Sequence, residues 1–394
     1  MRIAFVTGEL AFGGTTTFCL FLSRSLMRLG VEVRVFSFRQ SHPLRAEFES
    51  DHVPVFLENE EQTIFETRLE NIYRSLRVFQ PNAVFAILGA EAFEVLRHLP
   101  TGVLRVGMVH DDNPSVYELL GRYRQSMDAI VAVSEHIKEQ CEIRFPRIKN
   151  VYLRHGVSLG NQLKRTVSAP GEPIKLLYFG RLEESQKRVR NFPILCAALK
   201  NAGVPFCFTI IGSGSEEPFL RDALAKDTAA GIVVMTSALP HPELLNIISK
   251  HDVYLLMSDH EAGPLTLIEA MSAGLVPVCS DIPCLVSEVV HAGNGYRIAR
   301  GDIAGFAQAI GELSRDRILL ETISRASQHS ITDEFSEAAM GLRYRKFVQG
   351  EMSSHTNATW MKTISVGPFA GEKHTWKHSF LGRCFRQVAK RVQK

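Results

Sequence analysis

The amino-acid sequence predicts an α/β protein of two doubly wound parallel-sheet domains facing a cleft. Three observations predict it. Short β-branched and apolar runs alternate with helix-length segments from the first residue onward. A polar, turn-rich stretch, SLGNQLKRTVSAPGEP from Ser158 to Pro173, interrupts that alternation once, after which it restarts. The chain of 394 residues also exceeds the usual size of a single hydrophobic core. Ligands bind such sheets at the carboxyl ends of the strands, so two of them put function in the cleft.

Taken in order, the first half opens as a βαβ unit with a strand at Ile3 to Thr7, a helix at Thr15 to Leu29 and a strand at Val31 to Phe38. Further strand-like runs stand at Val53 to Leu57, Ala83 to Leu88, Leu104 to Val109, Ala129 to Val133 and Val151 to Leu153. After the interruption come runs at Lys175 to Phe179, Phe206 to Ile211, Ile232 to Met235, Val253 to Met257 and Val276 to Cys279. Helical segments near Ile303 to Leu313 and Glu334 to Val348 close the second unit. The expected boundaries are a Rossmann-like domain over 1–157, a linker over 158–173, a second Rossmann-like domain over 174–331, a closing helix over 332–349 and a basic tail over 350–394.

Composition narrows the class. Apolar residues make up 45% and charged residues 22%, which excludes a wholly disordered chain. The apolar run after Met1-Arg2 ends at Gly8, too short for a signal-peptide core, and no later run reaches bilayer-spanning length. Seven cysteines form no Cys-x-x-Cys pair, and with most in apolar surroundings they read as reduced thiols of a cytoplasmic protein. A net charge of +3 is too small to point to nucleic acid.

The first strand runs into TGELAFGGTT, where Gly13 and Gly14 precede a helix capped by Thr15 or a neighbour. A helix start of this kind binds anions, although glycine needed only for a tight turn explains it equally. Gly14 stands where a P-loop would place lysine, and no Gly-x-Gly-x-x-Gly occurs, which weakens kinase and dehydrogenase readings. After the strand ending at Val109, His110-Asp111-Asp112-Asn113 faces the cleft. There His110 is placed to bond a sugar hydroxyl, while Asp112 or Asn113 caps the helix begun by Pro114. Asp111-x-Asn113 is too weak a match to a metal-binding Asp-x-Asp to imply a metal.

In the second half, Arg181 follows a strand and Lys187 lies six residues on, just before a helix. A guanidinium fork and a mobile ammonium together clamp a diphosphate; the plainer reading is a solvated loop. Ile211-Gly212-Ser213-Gly214 joins another strand to a helix and lets backbone approach a nucleotide at Gly212. The segment SDHEAGPLTLIEAMSAGLVPVCSD carries Glu261 in a loop, a helix opened by Pro264, and Glu269 eight residues after Glu261. Two carboxylates suit vicinal hydroxyls, and the helix start at Gly263 and Leu265 offers N–H donors to a phosphate. A solvated role for Glu269 fits poorly among Leu267, Ile268, Ala270 and Met271.

In this ordered set the chain resembles the retaining glycosyltransferases of family 4, which have the GT-B fold, over nearly all of residues 1–348. The resemblance implies an acceptor-side first domain and a second domain that binds a nucleotide sugar. It further implies that Arg181 and Lys187 contact the donor pyrophosphate, Glu261 the transferred sugar and Glu269 the ribose, and that His110 lines the sugar pocket. It implies transfer to a glycan or lipid-linked hydroxyl with retention, with no cofactor and no metal. Two departures stand out: Arg188 where glycine commonly follows the lysine, and Ala262-Gly263 where a glycine and an aromatic are usual. A sugar-nucleotide epimerase, a phosphorylase, or a non-catalytic sugar-binding protein of the same fold are the alternatives.

The tail adds a partner. From Lys373 to Lys394 there are seven lysines and arginines and no acidic residue, and Phe380, Leu381, Cys384, Phe385, Val388 and Val392 recur at helical spacing. A basic amphipathic helix lies on an anionic membrane surface, and Trp360 and Trp376 suit an interface. A tail packed on the first domain, or a disordered one, is the competing expectation.

Overall fold

The computed structural model describes residues 1–38, 42–57, 65–159, 167–239, 241–352, 360–362 and 364. The basic run from 373 to 394 lies outside the described residues.

Each apolar run named above forms a strand. In the first domain these are β1 (Arg2–Thr7), β2 (Glu32–Ser37), β3 (Val55–Leu57), β4 (Ala83–Ala86), β5 (Leu104–Val109), β6 (Ala129–Ala132) and β7 (Lys149–Tyr152). They lie in the order β3-β2-β1-β4-β5-β6-β7, with Phe5 opposite Val35 on one side and Phe85 on the other. The helices are α1 (Gly14–Arg28), α2 (Arg45–Ser50), α3 (Phe65–Phe79), α4 (Ala90–His98), α5 (Pro114–Tyr123) and α6 (Glu135–Arg144).

The second domain holds β8 (Ile174–Phe179), β9 (Phe206–Ile211), β10 (Val233–Thr236), β11 (Val253–Leu256), β12 (Val276–Ser280) and β13 (Tyr296–Ile298), in the order β10-β9-β8-β11-β12-β13. Its helices are α7 (Glu184–Lys187), α8 (Asn191–Asn201), α9 (Glu217–Ala223), α10 (Ala225–Ala229), α11 (His241–Ile248), α12 (Leu265–Ser272), α13 (Leu285–Val289), α14 (Ile303–Arg315) and α15 (Arg317–Ser330). The short edge strand β13 and the helix α15 are additions to the sequence reading. In each sheet the order reverses beside the first strand of its domain, and these reversals open crevices at the carboxyl ends of β1 and β8.

A final helix, α16 (Glu337–Met352), does not close the second domain. It crosses to the first and packs along α1, where the ring of Tyr344 meets Phe18 and Phe85. Arg24 holds its start by a two-pronged bond to Glu337, and Ser25 Oγ donates to the Glu337 carbonyl at 2.7 Å. Outgoing and returning chains touch where Val157 exchanges backbone bonds with Phe335 and Glu337. Beyond α16, Trp360 lies against Tyr73 of α3 at 5.7 Å between ring centroids, while Arg77 donates to the Lys362 carbonyl. Trp360, half-buried, therefore packs on the first domain.

The apolar core is layered accordingly. One cluster fills the far face of the first sheet and another the far face of the second. A third runs without a break from β1 and α1 through α16 to α12 and β11, so the domains meet across hydrophobic packing. Among the described residues no helix is long and apolar enough to cross a membrane. Five of the six described cysteines are buried and none is bridged.

Candidate functional site

The two crevices face each other and merge into one cavity of about 210 Å³. Its walls are the loops at the carboxyl ends of β1, β5 and β7 from one side and of β8, β9, β10 and β11 from the other. It gathers Gly13, Gly14, His110, Arg181, Lys187, Gly212, Glu261, Gly263, Leu265 and Glu269, the site residues picked out from the sequence.

Two helices point their starts into this cavity without a side-chain cap. The N-cap of α1 is Gly13, so Thr15 lies inside the helix, and α1 has no acidic residue in its first turn. The N-cap of α12 is Pro264, likewise with no capping side chain and no acidic first turn. Each leaves first-turn N–H groups and the positive end of a helix dipole toward the cavity. Gly212 is glycine for space: a Cβ there would stand 1.9 Å from the Gly180 carbonyl oxygen, because β8 and β9 end side by side. Gly263 sits against Val133 and His155 of the first domain, and a Cβ would come within 3.4 Å of both. A side chain at this position would press on the first domain, so glycine leaves the two domains in close contact here.

Cations and carboxylates are coupled directly. Lys187 is the last residue of the one-turn helix α7 rather than part of a loop, and its Nζ lies 2.5 Å from Glu261 Oε1. Ser258 Oγ donates to the same oxygen at 2.6 Å, and Glu261 is 6% exposed. Arg181 donates to Gln186 Oε1 at 2.6 Å, and Gln186 Nε2 reaches the His260 carbonyl at 3.3 Å. Arg188 takes a left-handed φ of 52°, the conformation that makes glycine common after the lysine, and its Nε is fixed 2.7 Å from Asp259 Oδ2.

Glu269, 3% exposed, pairs with His241, whose Nε2 lies 3.0 Å away. Burial alone would lower the His241 pKa, but the Glu269 carboxylate overcomes it and the pKa is raised. His110 and His155 form a stack with Phe18, at 4.8 and 4.5 Å from its ring. Burial pushes the pKa of both down, that of His155 to about 3, so both are neutral. His110 Nε2 and His155 Nε2 have no hydrogen-bond partner there. Asp111 lies 3.8 Å from His260 across the cleft, and burial raises its carboxyl.

Asn113, not Asp112, caps α5 by accepting from Ser115 N at 3.0 Å. Asp112 instead accepts from Tyr117 and lies 3.0 Å from His136. Sequence reasoning missed His155, His241 and Gln186. The first two follow β7 and β10 as His110 follows β5, so their strand-end position was the available signal. Among the described residues no group of three His, Cys, Asp or Glu side chains is gathered to hold a metal ion.

Comparison with known proteins follows the same division of the chain. Residues 12–160 match the family model described as Glycosyltransferase Family 4, and residues 161–330 the model described as Glycosyl transferases group 1. The WcaL protein of Salmonella typhimurium, assigned as a colanic acid biosynthesis glycosyltransferase, is 29% identical over 212 residues, 52% of each chain. The GDP-mannose:cellobiosyl-diphosphopolyprenol alpha-mannosyltransferase of Xanthomonas campestris is 28% identical over 166 residues, 41% of this chain and 42% of its own. The chain thus spans about half the length of the curated relatives it matches. In fold it is similar to the pneumococcal O-GlcNAc transferase GtfA, solved with UDP and GlcNAc, at a TM-score of 0.72 and 13% identity over 90% of this chain and 99% of that one. Anabaena Alr3699/HepE, solved with UDP and glucose, superposes with a TM-score of 0.72 and 14% identity over 89% of this chain and 100% of that one.

Proposed function

We propose that this chain, which belongs to the family 4-type glycosyltransferases of the GT-B fold, is a retaining, metal-independent hexosyltransferase that moves a sugar from a nucleoside diphosphate sugar to a glycan or lipid-linked hydroxyl. One observation carries the reading: a single interdomain cavity joins two uncapped helix starts, the cations Arg181 and Lys187, and the buried carboxylates Glu261 and Glu269. Helix starts and cations answer a diphosphate, while carboxylates answer the hydroxyls of a sugar and a ribose.

Chemistry follows from that assignment. The bond from the anomeric carbon to the diphosphate breaks, and Arg181, Lys187 and the α12 start stabilise the charge that develops on the leaving oxygen. The acceptor oxygen bonds the anomeric carbon on the same face, and its proton passes to the departing phosphate. Glu261 orients the sugar, Glu269 the ribose, and the neutral rings of His110 and His155 offer nitrogen to sugar hydroxyls without adding charge. No cofactor enters these steps.

Thermal stabilisation by a panel of nucleoside diphosphate sugars, followed by NMR of the product, tests the reading. The expected result is a rise in Tm with one donor, an anomeric configuration kept in the product, and turnover unaffected by a chelator. No stabilisation by any donor, or an inverted product, overturns it.

A further inference from the structure

A second depression, of about 600 Å³, lies between α5 and α6 of the first domain and Pro283 of the second. It and the interdomain cavity share the loop after β5: His110 lines the cavity, and Asp112, two residues on, lines the groove. Tyr117 and Glu118 of α5 and His136, Gln140 and Arg144 of α6 supply one wall, and Pro283 of the second domain the other.

This groove is built rather than incidental. Both oxygens of Asp112 are engaged, by the Tyr117 hydroxyl at 2.6 Å and by His136 at 3.0 Å, so the carboxylate has one orientation. Arg144 lies 4.4 Å over the Tyr117 ring, and its NH1 donates to Gln140 Oε1 at 2.6 Å. Among the described residues Arg144 bonds to Gln140 and to no carboxylate, leaving guanidinium donors for a ligand. Two carboxylates stand here against one guanidinium, so the groove has no excess of positive charge with which to attract a phosphate. Its carboxylate, amide and guanidinium, backed by an aromatic ring, match the paired donors and acceptors of vicinal hydroxyls.

We propose that this groove is the acceptor subsite, holding a neutral sugar unit through Asp112, Gln140 and Arg144 beside the donor cavity. The proposal rests on the transferase reading and names where the second substrate lies. Its Asp112 lies two residues beyond His110 on the same loop, which sets an acceptor held there close to the donor cavity.

Saturation-transfer NMR on the full chain with cellobiose, maltose, lactose and gentiobiose, alongside calorimetric titration of UDP and GDP, tests it. At least one disaccharide is expected to bind. Asp112→Asn and Arg144→Gln should each weaken it about tenfold, the loss of one charge-assisted hydrogen bond. Gln140→Ala, on the partly exposed outer turn of α6, should weaken it several-fold without a change in Tm. Nucleotide affinity should stay within about twofold in all three, because none of them lines the donor cavity. No disaccharide binding to the wild-type chain, or binding unchanged by all three substitutions, overturns the subsite. Failure of both UDP and GDP to bind instead counts against the transferase reading, since the disaccharide titration does not depend on it.

Discussion

At Lys187 two anions compete for one ammonium group. In the structure its partner is Glu261, and the proposed donor brings a diphosphate to the same place. Glu261→Gln frees the lysine, so it should lower turnover while leaving nucleoside diphosphate affinity equal or tighter. Glu269→Ala should chiefly weaken nucleotide binding. Arg181→Ala or Lys187→Ala should each cost about 2 to 4 kcal/mol of transition-state stabilisation, with little change in Tm. Steady-state kinetics beside calorimetry separates these outcomes, and near-normal turnover by both cation variants would remove the clamp. The histidines set a pH dependence of opposite signs. His110 and His155 have lowered folded pKa values, so their contribution to stability is complete above the ordinary value near 6.5 and is lost as pH falls below it, for His155 toward about 3. His241 is raised, so its contribution is complete below 6.5 and is lost as pH climbs through its folded value. His155→Asn should therefore flatten the acid limb of urea-unfolding stability, and His241→Gln the limb above 6.5. Parallel curves for wild type and His155→Asn between 6.5 and about 3 would contradict the buried neutral ring.

Among elements, α16 shows what a sequence displays and what it conceals. The strands were legible because each is a local apolar run, and Glu261 with Glu269 because both lie in one loop and helix. The docking of α16 on α1 was not, since Arg24 and Glu337 are 313 residues apart and nothing near either names the other. Strand β13 escaped because two half-buried residues flanking the exposed Arg297 at a sheet edge make no apolar run. Tight packing at the α1–α16 crossing depends on Gly341, where a Cβ would fall 2.2 Å from Ser25 Oγ. Gly341→Leu should destabilise by about 1 to 3 kcal/mol through overpacking. Gly350→Ala, on the same helix with nothing within 4 Å of a Cβ, should instead gain up to about 1 kcal/mol. Equal Tm values for the two would show that the crossing is loose. At Arg188 two small effects oppose: glycine would relieve about 1 kcal/mol of left-handed strain but lose a partly exposed pair with Asp259 worth about the same or less. Arg188→Gly should accordingly shift thermal unfolding by no more than about 1 kcal/mol.

For the whole molecule, the return of the chain decides on which domain its described part ends. Trp360, Met361 and Lys362 are held on α3 through Tyr73 and Arg77, so the described chain ends against the first domain. If the basic run that follows meets an anionic surface, with about 1 kcal/mol from each basic residue, it brings the first domain to the membrane. Sedimentation with anionic and neutral liposomes should show binding by the full chain at low salt and none by a chain ending at Ile364. Equal, negligible binding by both would leave the tail without a membrane role.

Because the chain crosses between domains at Val157 and returns at Ser336, residues 2 and 364 both belong to the first domain, and the second hangs from it as a closed loop. Mechanical load applied to the two ends therefore bypasses the second domain until α16 has peeled from α1. In an optical trap the first rupture should be the peeling of α16 from α1, and β8 to β13 should yield only in a later event. The second domain's half of the cleft is in this sense sheltered from tension on the chain ends.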